Sequence, residues 1–222
     1  MPTIFHPREF EQLPAATLDD WRDIASTILS DVTKGRVICD AAIRPLAPSS
    51  RICGQALTVR CDPADSGAVI HAIEGARAGD IIVVDTSGDA EHAVLGELFA
   101  GTARVAGVAG ILVDGSVRDI GTLRTWADLP VWSRYTRAQG SPGKSEGEIN
   151  CPISFGGRVV SPGDLIIADD DGIAVIPFGE VDAIYPKARD RAAFEAECEA
   201  QIATGEKATG LFGIAAYVAS AG

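Results

Sequence analysis

Two stretches decide the fold: Gly79-Asp80-Ile81-Ile82-Val83-Val84-Asp85 and Gly110-Ile111-Leu112-Val113-Asp114-Gly115-Ser116. In each, a glycine turn leads into an unbroken apolar run that ends at an Asp and a polar loop. A run without polar alternation fits a strand buried on both faces, the habit of parallel sheets. Ala90 to Val105 between them reads as helix, so strand, loop, helix and strand form a βαβ unit. Ligands of such units collect at the carboxyl ends of the strands, and the loops after Asp85 and Val113 are expected to face one crevice.

Working outward, Leu18, Trp21, Ile24, Ala25, Ile28, Leu29 and Val32 recur at spacings of three and four. They predict a helical segment over about 14–34, with Thr17 and Asp20 as a capping-box variant. Gly54 to Arg60 reads as a strand and Asp65 to Ala76 as a helix. Beyond Leu123 the chain is strand-rich: Val131-Trp132-Ser133, a polar glycine-containing stretch from Gln139 to Asn150, and a hairpin from Ile153 to Val160 on Gly156-Gly157. Leu165–Ala168 and Ile173–Ile176 flank Asp169-Asp170-Asp171-Gly172, a strong hairpin signal. A helix over about 181–204 stops at Gly205. The small apolar tail from Gly210 to Gly222 is expected to pack on something, a neighbouring subunit being a candidate. The expectation is one α/β domain over 1–222.

With 222 residues, 46% apolar and 23% charged, the chain has the composition of a folded domain. Its net charge of −12 and its lack of a basic run argue against nucleic acid. A small anion is a different matter, because two or three basic side chains at one place suffice for it. No apolar run is long enough to span a membrane and no signal-peptide pattern opens the chain, so a cytoplasmic location is expected. The five cysteines form no CxxC pair and read as buried thiols; the three histidines show no zinc-ligand spacing.

The densest polar cluster is Asp114-Gly115-Ser116-Val117-Arg118-Asp119. Arg118 can grip a carboxylate through its planar fork, and Asp119 can hold a hard divalent cation; a turn of solvated charges is the alternative. A second cluster is Leu95-Gly96-Glu97-Leu98. Were Gly96 at a helix start, an anion could reach backbone N–H groups there, with Glu97 alongside. Otherwise the segment is a helix interior with an exposed Glu. Arg134, Arg137 and Lys144 are candidates for a distal carboxylate, although solvated loop charges are the commoner reading. Asp169-Asp170-Asp171 lacks calcium-loop spacing and reads as a turn. His71 and His92 read as helix residues, His92 being near enough to Gly96 to line a pocket.

Glu97, twenty intervening residues and Arg118-Asp119 resemble the acidic-x20-Arg-Asp signature of the RraA-like family, which includes class II 4-hydroxy-4-methyl-2-oxoglutarate/4-carboxy-4-hydroxy-2-oxoadipate aldolases. Ile43-Arg44-Pro45-Leu46, Gly79 to Asp85, Val113 to Asp119 and Ser161 to Gly172 resemble family blocks in family order. The resemblance implies a swivelling β/β/α domain like the phosphohistidine domains, with N- and C-terminal helices. It also implies a homotrimer, or a homohexamer of two trimers, with active sites between subunits. It assigns Asp119 to a Mg²⁺ or Mn²⁺ ion and Arg118 to the pyruvyl part of a 2-oxo acid. Gly96, Glu97, Leu98 and Phe99 become the segment whose amides receive the substrate carboxylate. Glu97 stands where Asp is commoner, and a Glu of the adjacent subunit's C-terminal helix is implicated, Glu195 matching best and Glu197 and Glu199 next.

The implied reaction is cleavage of a 4-hydroxy-2-oxo acid to pyruvate and a 2-oxo acid, with oxaloacetate decarboxylation as a side activity through the same enolate. A divalent ion and Arg118 suit that enolate. Water on the metal, positioned by Glu97 or Asp114, is the candidate base. The lysines Lys34, Lys144, Lys187 and Lys207 sit in polar contexts that make a Schiff base the weaker route. The family also contains regulators that inhibit ribonuclease E by protein contact, and a lyase acting on a sugar-derived 2-oxo acid is a third reading.

Overall fold

The computed structural model describes residues 2–217. Its strands are β1 (Ile4–Phe5), β2 (Arg44–Pro45), β3 (Ile52–Arg60), β4 (Ile81–Asp85), β5 (Ala93–Leu95), β6 (Gly110–Val117) and β7 (Val131–Thr136). They continue with β8 (Glu148–Ile149), β9 (Ile153–Phe155), β10 (Arg158–Val160), β11 (Leu165–Ala168) and β12 (Ile173–Ile176). The α-helices are α1 (Ala15–Arg22), α2 (Ser26–Thr33), α3 (Gly67–Gly75), α4 (Glu97–Val105), α5 (Ile120–Leu123), α6 (Val181–Ala203) and α7 (Ala208–Leu211).

The central sheet runs β1-β8-β3-β4-β6-β7-β2, with β5 added to β6 and the β11–β12 hairpin joined to β3. The core of it is parallel: β3 pairs with β4, β4 with β6 and β6 with β7. As the unbroken apolar runs require, Ile81, Ile82, Val83 and Val84 are wholly buried, as are Ile111, Leu112 and Val113. Alternate residues serve opposite faces. Ile82, Val84, Ile111 and Val113 pack with α3 and α4 side chains such as Val69, Ile73, Ala100 and Ala103. Ile81, Val83 and Leu112 meet Phe155, Val160, Ile166 and Val175 of the hairpin layer. Helices, central sheet and hairpins thus form three layers of a mixed α/β fold, each large buried side chain contributing roughly 1.5–3 kcal/mol. A third cluster joins Trp21, Ile28 and Leu29 of the N-terminal helices to Ile184 and Ala188 of α6 across β11 and β12.

Several boundaries differ from the sequence reading. The N-terminal helical segment is two helices, broken at Asp23–Ala25. Asp169 of the β11–β12 turn accepts hydrogen bonds from the backbone N–H and hydroxyl of Ser26, at 2.8 and 2.5 Å, and so starts α2 from across the fold. Thr17 and Asp20 make no capping box, because α1 begins after Pro14 and both lie inside it. The helix expected from Ala90 begins at Glu97; Ala93–Leu95 is instead a strand on β6. The strand expected to end at Val113 runs on to Val117 through an irregularity in its pairing with β7. Glycine at position 115 allows that passage, since a Cβ there would collide with Thr86. The C-terminal helix and both hairpins stand where expected, and Gly205 ends the helix at φ +99°. The apolar tail is partly outside the described residues; Ile214 and Tyr217 within them are exposed.

Candidate active site

Helix α4 opens at Gly96, whose backbone is extended and buried. Its first-turn amides, those of Glu97, Leu98 and Phe99, have no acceptor within the helix. The Glu97 amide donates to Oδ2 of Asp119 at 3.0 Å. Glycine is dictated by that approach: a Cβ at Gly96 would lie 2.5 Å from Asp119 Oδ2 and 3.0 Å from Arg118 Cγ and Nε. Asp119 itself sits at φ +58°, a left-handed conformation that Asp tolerates better than most residues. Its carbonyl accepts from the amides of Thr122 and Leu123, so the same residue caps α5 and faces α4.

Arg118 is fixed through its backbone, whose N–H donates to Leu95 O at 2.9 Å. Its guanidinium lies against Gly140, where a Cβ would come 2.7 Å from Nη1, and its Nε is 3.7 Å from Asp119 Oδ2. Both side chains are roughly half exposed. The structure therefore brings Gly96, Glu97, Leu98, Phe99, Arg118 and Asp119 together around a small shared hollow.

Beside it lies a cavity of about 250 Å³, lined by Gly96, Phe99, Arg118, Gly140, Ser141, Lys144 and Ser66, among others. In a chain with 31 carboxylates, the only charged side chains in this lining are two cations. Lys144 is presented by a pinned loop. Gly143 exchanges backbone bonds with Ala64 and Ser66, and Ser145 N–H donates to Asp65 at 3.1 Å. Gly67 makes the contact possible, since a Cβ there would stand 2.5 Å from Ser145 N. The buried Ser66, the residue before α3, lines the same cavity, but the Gly67 amide there donates to Asp65 Oδ1 at 2.7 Å, so α4 is the helix whose amino end favours an anion at this cavity.

The other candidates fall elsewhere. Asp114 lines neither cavity: Arg134 Nε donates to its Oδ1 at 2.5 Å and the Gly156 amide to its Oδ2 at 2.7 Å, so it is not placed to position the water expected as base. Arg134 also grips Asp40, at 2.6 Å, and those partners raise its pKa further. Arg137 pairs with Glu91. His92 Nδ1 lies 2.9 Å from Asp89 Oδ2, and His92 is not part of the cavity wall. His71 is an exposed helix residue, as expected. Glu195 pairs with Arg191 at 2.8 Å on α6 and lines neither cavity of its own chain. Glu197 accepts from Gln201. Ser66, Gly140 and Ser141 were missed in the sequence. The glycines Gly140 and Gly143 just before Lys144 were their one visible sign.

Among the described residues no group of three or more His, Cys, Asp or Glu side chains is placed to hold a metal ion. Asp119, with its Oδ1 free of protein hydrogen bonds among the described residues, is a single hard oxygen donor with Glu97 as neighbour. That donor set fits Mg²⁺ or Mn²⁺, which take one or two carboxylates and complete their shell with water and substrate oxygens.

The sequence and the layered α/β fold both match a known protein class. The sequence profile of the RraA-like family, described as Aldolase/RraA, matches residues 20–175, and the chain belongs to that family. A Halalkalibacterium halodurans protein named "Putative 4-hydroxy-4-methyl-2-oxoglutarate aldolase" is 37% identical over 176 residues, 79% of this chain and 83% of the relative. The crystal structure of an uncharacterized protein from Pseudomonas syringae pv. tomato superposes with a TM-score of 0.82 at 26% identity, covering 93% of this chain and 97% of that one. Streptomyces coelicolor RraAS2, described as an unusual member of the RNase ES inhibitor RraA protein family, superposes at 0.76 with 25% identity, covering 85% and 98%.

Proposed function

We propose that the Arg118–Asp119 cleft is the active site of a divalent-metal-dependent aldolase that cleaves a 4-hydroxy-2-oxo acid to pyruvate and a second 2-oxo acid. The observation that carries this is the pairing of Asp119, one oxygen left open, with Arg118 at the amino end of α4, beside a cavity whose charges are both positive. The aldolase name of the H. halodurans relative supports the reaction class. Substrates of the class, 4-hydroxy-4-methyl-2-oxoglutarate and 4-carboxy-4-hydroxy-2-oxoadipate, carry carboxylates at both ends, and the cavity has a cation for each.

The Leu98 and Phe99 amides and Arg118 bind the 2-oxo carboxylate, orienting the C3–C4 bond in a fixed frame. Asp119 would hold the Mg²⁺ or Mn²⁺ ion, which when bound supplies Lewis acidity toward the 2-oxo group. Arg118 adds positive charge where the enolate develops as the bond breaks. Glu97, exposed and without a side-chain partner among the described residues, takes the proton of the C4 hydroxyl through water. Lys144 receives the distal carboxylate. Oxaloacetate decarboxylation needs the same enolate stabilisation and is expected as a side activity.

Leu98 of α4, 77% exposed, lines the hollow, and Val105 at the far end of the same helix is 91% exposed. Apolar side chains so placed support a homotrimer, or two trimers as a hexamer, whose neighbouring subunit covers α4 and brings a Glu, with Glu195 as the candidate. The test is pyruvate release in a coupled assay, from oxaloacetate and from 4-carboxy-4-hydroxy-2-oxoadipate, with Mg²⁺ and then with EDTA. Release that EDTA stops is the expected result. Its absence from both substrates in folded, metal-supplied protein overturns the proposal. The RNase ES inhibitor family of the S. coelicolor relative would then supply the reading to pursue, inhibition of an endoribonuclease by protein contact.

A further inference from the structure

We infer that a second anion site, separate from the Arg118–Asp119 cleft, lies between the β2–β3 loop and the end of α5, where Arg51 and Arg124 bind a small dianion. The cleft has a volume of about 350 Å³ and is lined by Ser49, Ser50, Arg51, Arg124, Thr125 and Trp126, among others. Most arginines of this acidic chain are matched to a carboxylate, such as Arg8 to Asp80, Arg104 to Asp128 and Arg134 to Asp114. Arg51 and Arg124 are not. Nε of Arg51 donates to the carbonyl of Arg22 at 2.7 Å, and Nε of Arg124 to that of Leu46 at 3.1 Å.

Each guanidinium is therefore oriented by a backbone acceptor at its Nε. Its two terminal nitrogens have no hydrogen-bond partner among the described residues. Two forks held in this way on one small cleft suit an anion with several oxygens, which arginine recognises through parallel hydrogen bonds. Two carboxylates that adjoin the lining in sequence or by hydrogen bond are engaged by other groups. Asp128 is held by Arg104 at 2.7 Å, and Asp170 accepts from the amides of Ser49 and Ser50 at 2.7 and 3.1 Å, which also fixes the loop. No acidic side chain lines the cleft to neutralise the pair. Arg124 closes the same short helix that Asp119 opens, so the cleft lies at the far end of the element that presents Asp119.

A phosphate-type anion and a dicarboxylate share this chemistry, and both serve as probes. Trp126 is the tryptophan in the lining, whereas Trp21 and Trp132 are buried and outside it. The experiment titrates the full-length protein with inorganic phosphate, and separately with succinate, at constant ionic strength, following tryptophan emission and calorimetric heat. Expected is saturable binding of at least one dianion, with the tighter one identifying the source. Arg51→Gln and Arg124→Gln should each weaken it about tenfold. Arg118→Ala should leave the emission response unchanged, and Trp126→Phe should remove the emission change but keep the heat. If a Gln variant fails to fold, Arg51→Lys, which keeps the charge but loses the fork, takes its place and should still weaken binding. No saturable emission response to either dianion, or a response that survives the arginine substitutions, overturns the inference.

Discussion

Two acidic segments leave the ends of buried strands in this protein, Asp169-Asp170-Asp171 after β11 and Arg118-Asp119 after β6, and they are satisfied in opposite ways. Asp169 spends its oxygens on the Ser26 amide and hydroxyl and on the amides of Asp171 and Gly172. Asp170 takes the amides of Ser49 and Ser50. Asp119 sits on a left-handed backbone, gives one oxygen to the Glu97 amide and leaves the other open beside a half-exposed arginine. Similar positions at strand ends thus separate into a structural turn and a corner with an open carboxylate oxygen according to how many protein donors reach each carboxylate. A buried or half-buried polar group left open at the cost of backbone strain is where a ligand is expected.

The strongest attempt to break this comparison is to substitute both aspartates. Asp119→Asn keeps a residue that tolerates φ +58° and an oxygen for the Glu97 amide, but removes the charge. Turnover should fall by at least about 10³, some 4 kcal/mol, with the melting temperature nearly unchanged. Asp169→Ala should do the reverse. It orphans the first-turn amide of α2 and three further donors, at a cost of about 3 kcal/mol in stability. Turnover per folded molecule should be unaltered. Pyruvate assays and denaturant unfolding on the pair decide it; a large stability loss in the Asn variant would make Asp119 structural as well.

Gly96→Ala sharpens the point, since the added methyl would push directly on Asp119. Displacing that carboxylate by even a fraction of an ångström should lower kcat about 10- to 100-fold. Wild-type turnover in this variant would show that the corner yields without consequence. Lys144→Ala touches only the distal half of the cavity. It should raise KM about tenfold for a 4-hydroxy-2-oxo dicarboxylate while leaving kcat within a factor of two or three, a loss of uniform binding. A smaller effect on oxaloacetate, which has a shorter reach, would support the assignment of Lys144 to the distal group.

The sheet was legible because burial on both faces writes itself as unbroken runs such as Ile81 to Val84. The hairpins were legible through their glycine turns. What local pattern misled was the segment Ala90–Leu95, apolar enough for helix yet paired to Ser116 and Val117 of β6. The break before Ser26 was invisible for a similar reason: the carboxylate that makes it lies 143 residues away. At the site, Arg118 and Asp119 were legible as an adjacent pair, and the family pattern marked Gly96. Gly140, Ser66 and Ser141 were not, because their membership depends on the pinning of the Gly140–Ser145 loop against α3, a contact that no short-range spacing encodes.

A third acidic position tests the comparison at its weakest end. Glu148 on β8 accepts from His6 and Arg60, and these hydrogen bonds, that of His6 first, hold its pKa below the ordinary value of 4.5. A carboxyl depressed in the folded state stabilises fully above its unfolded pKa and loses that contribution as pH falls through the lower folded value. The window therefore lies below about pH 4.5, and solvent screening at this partly exposed site keeps the effect under about 1 kcal/mol. It should be local. The amides of Ile4 and His6, which bond Gly147 and Ile149 at 3.0 Å, should lose exchange protection between pH 5 and the window's lower end once intrinsic rates are corrected, while those of Ile82 and Val84 in β4 should not. His6→Ala should shift the loss to higher pH. Equal loss of protection in β1 and β4 would mean that acid acts on the whole fold, and Glu148 would join Asp169 as a global support.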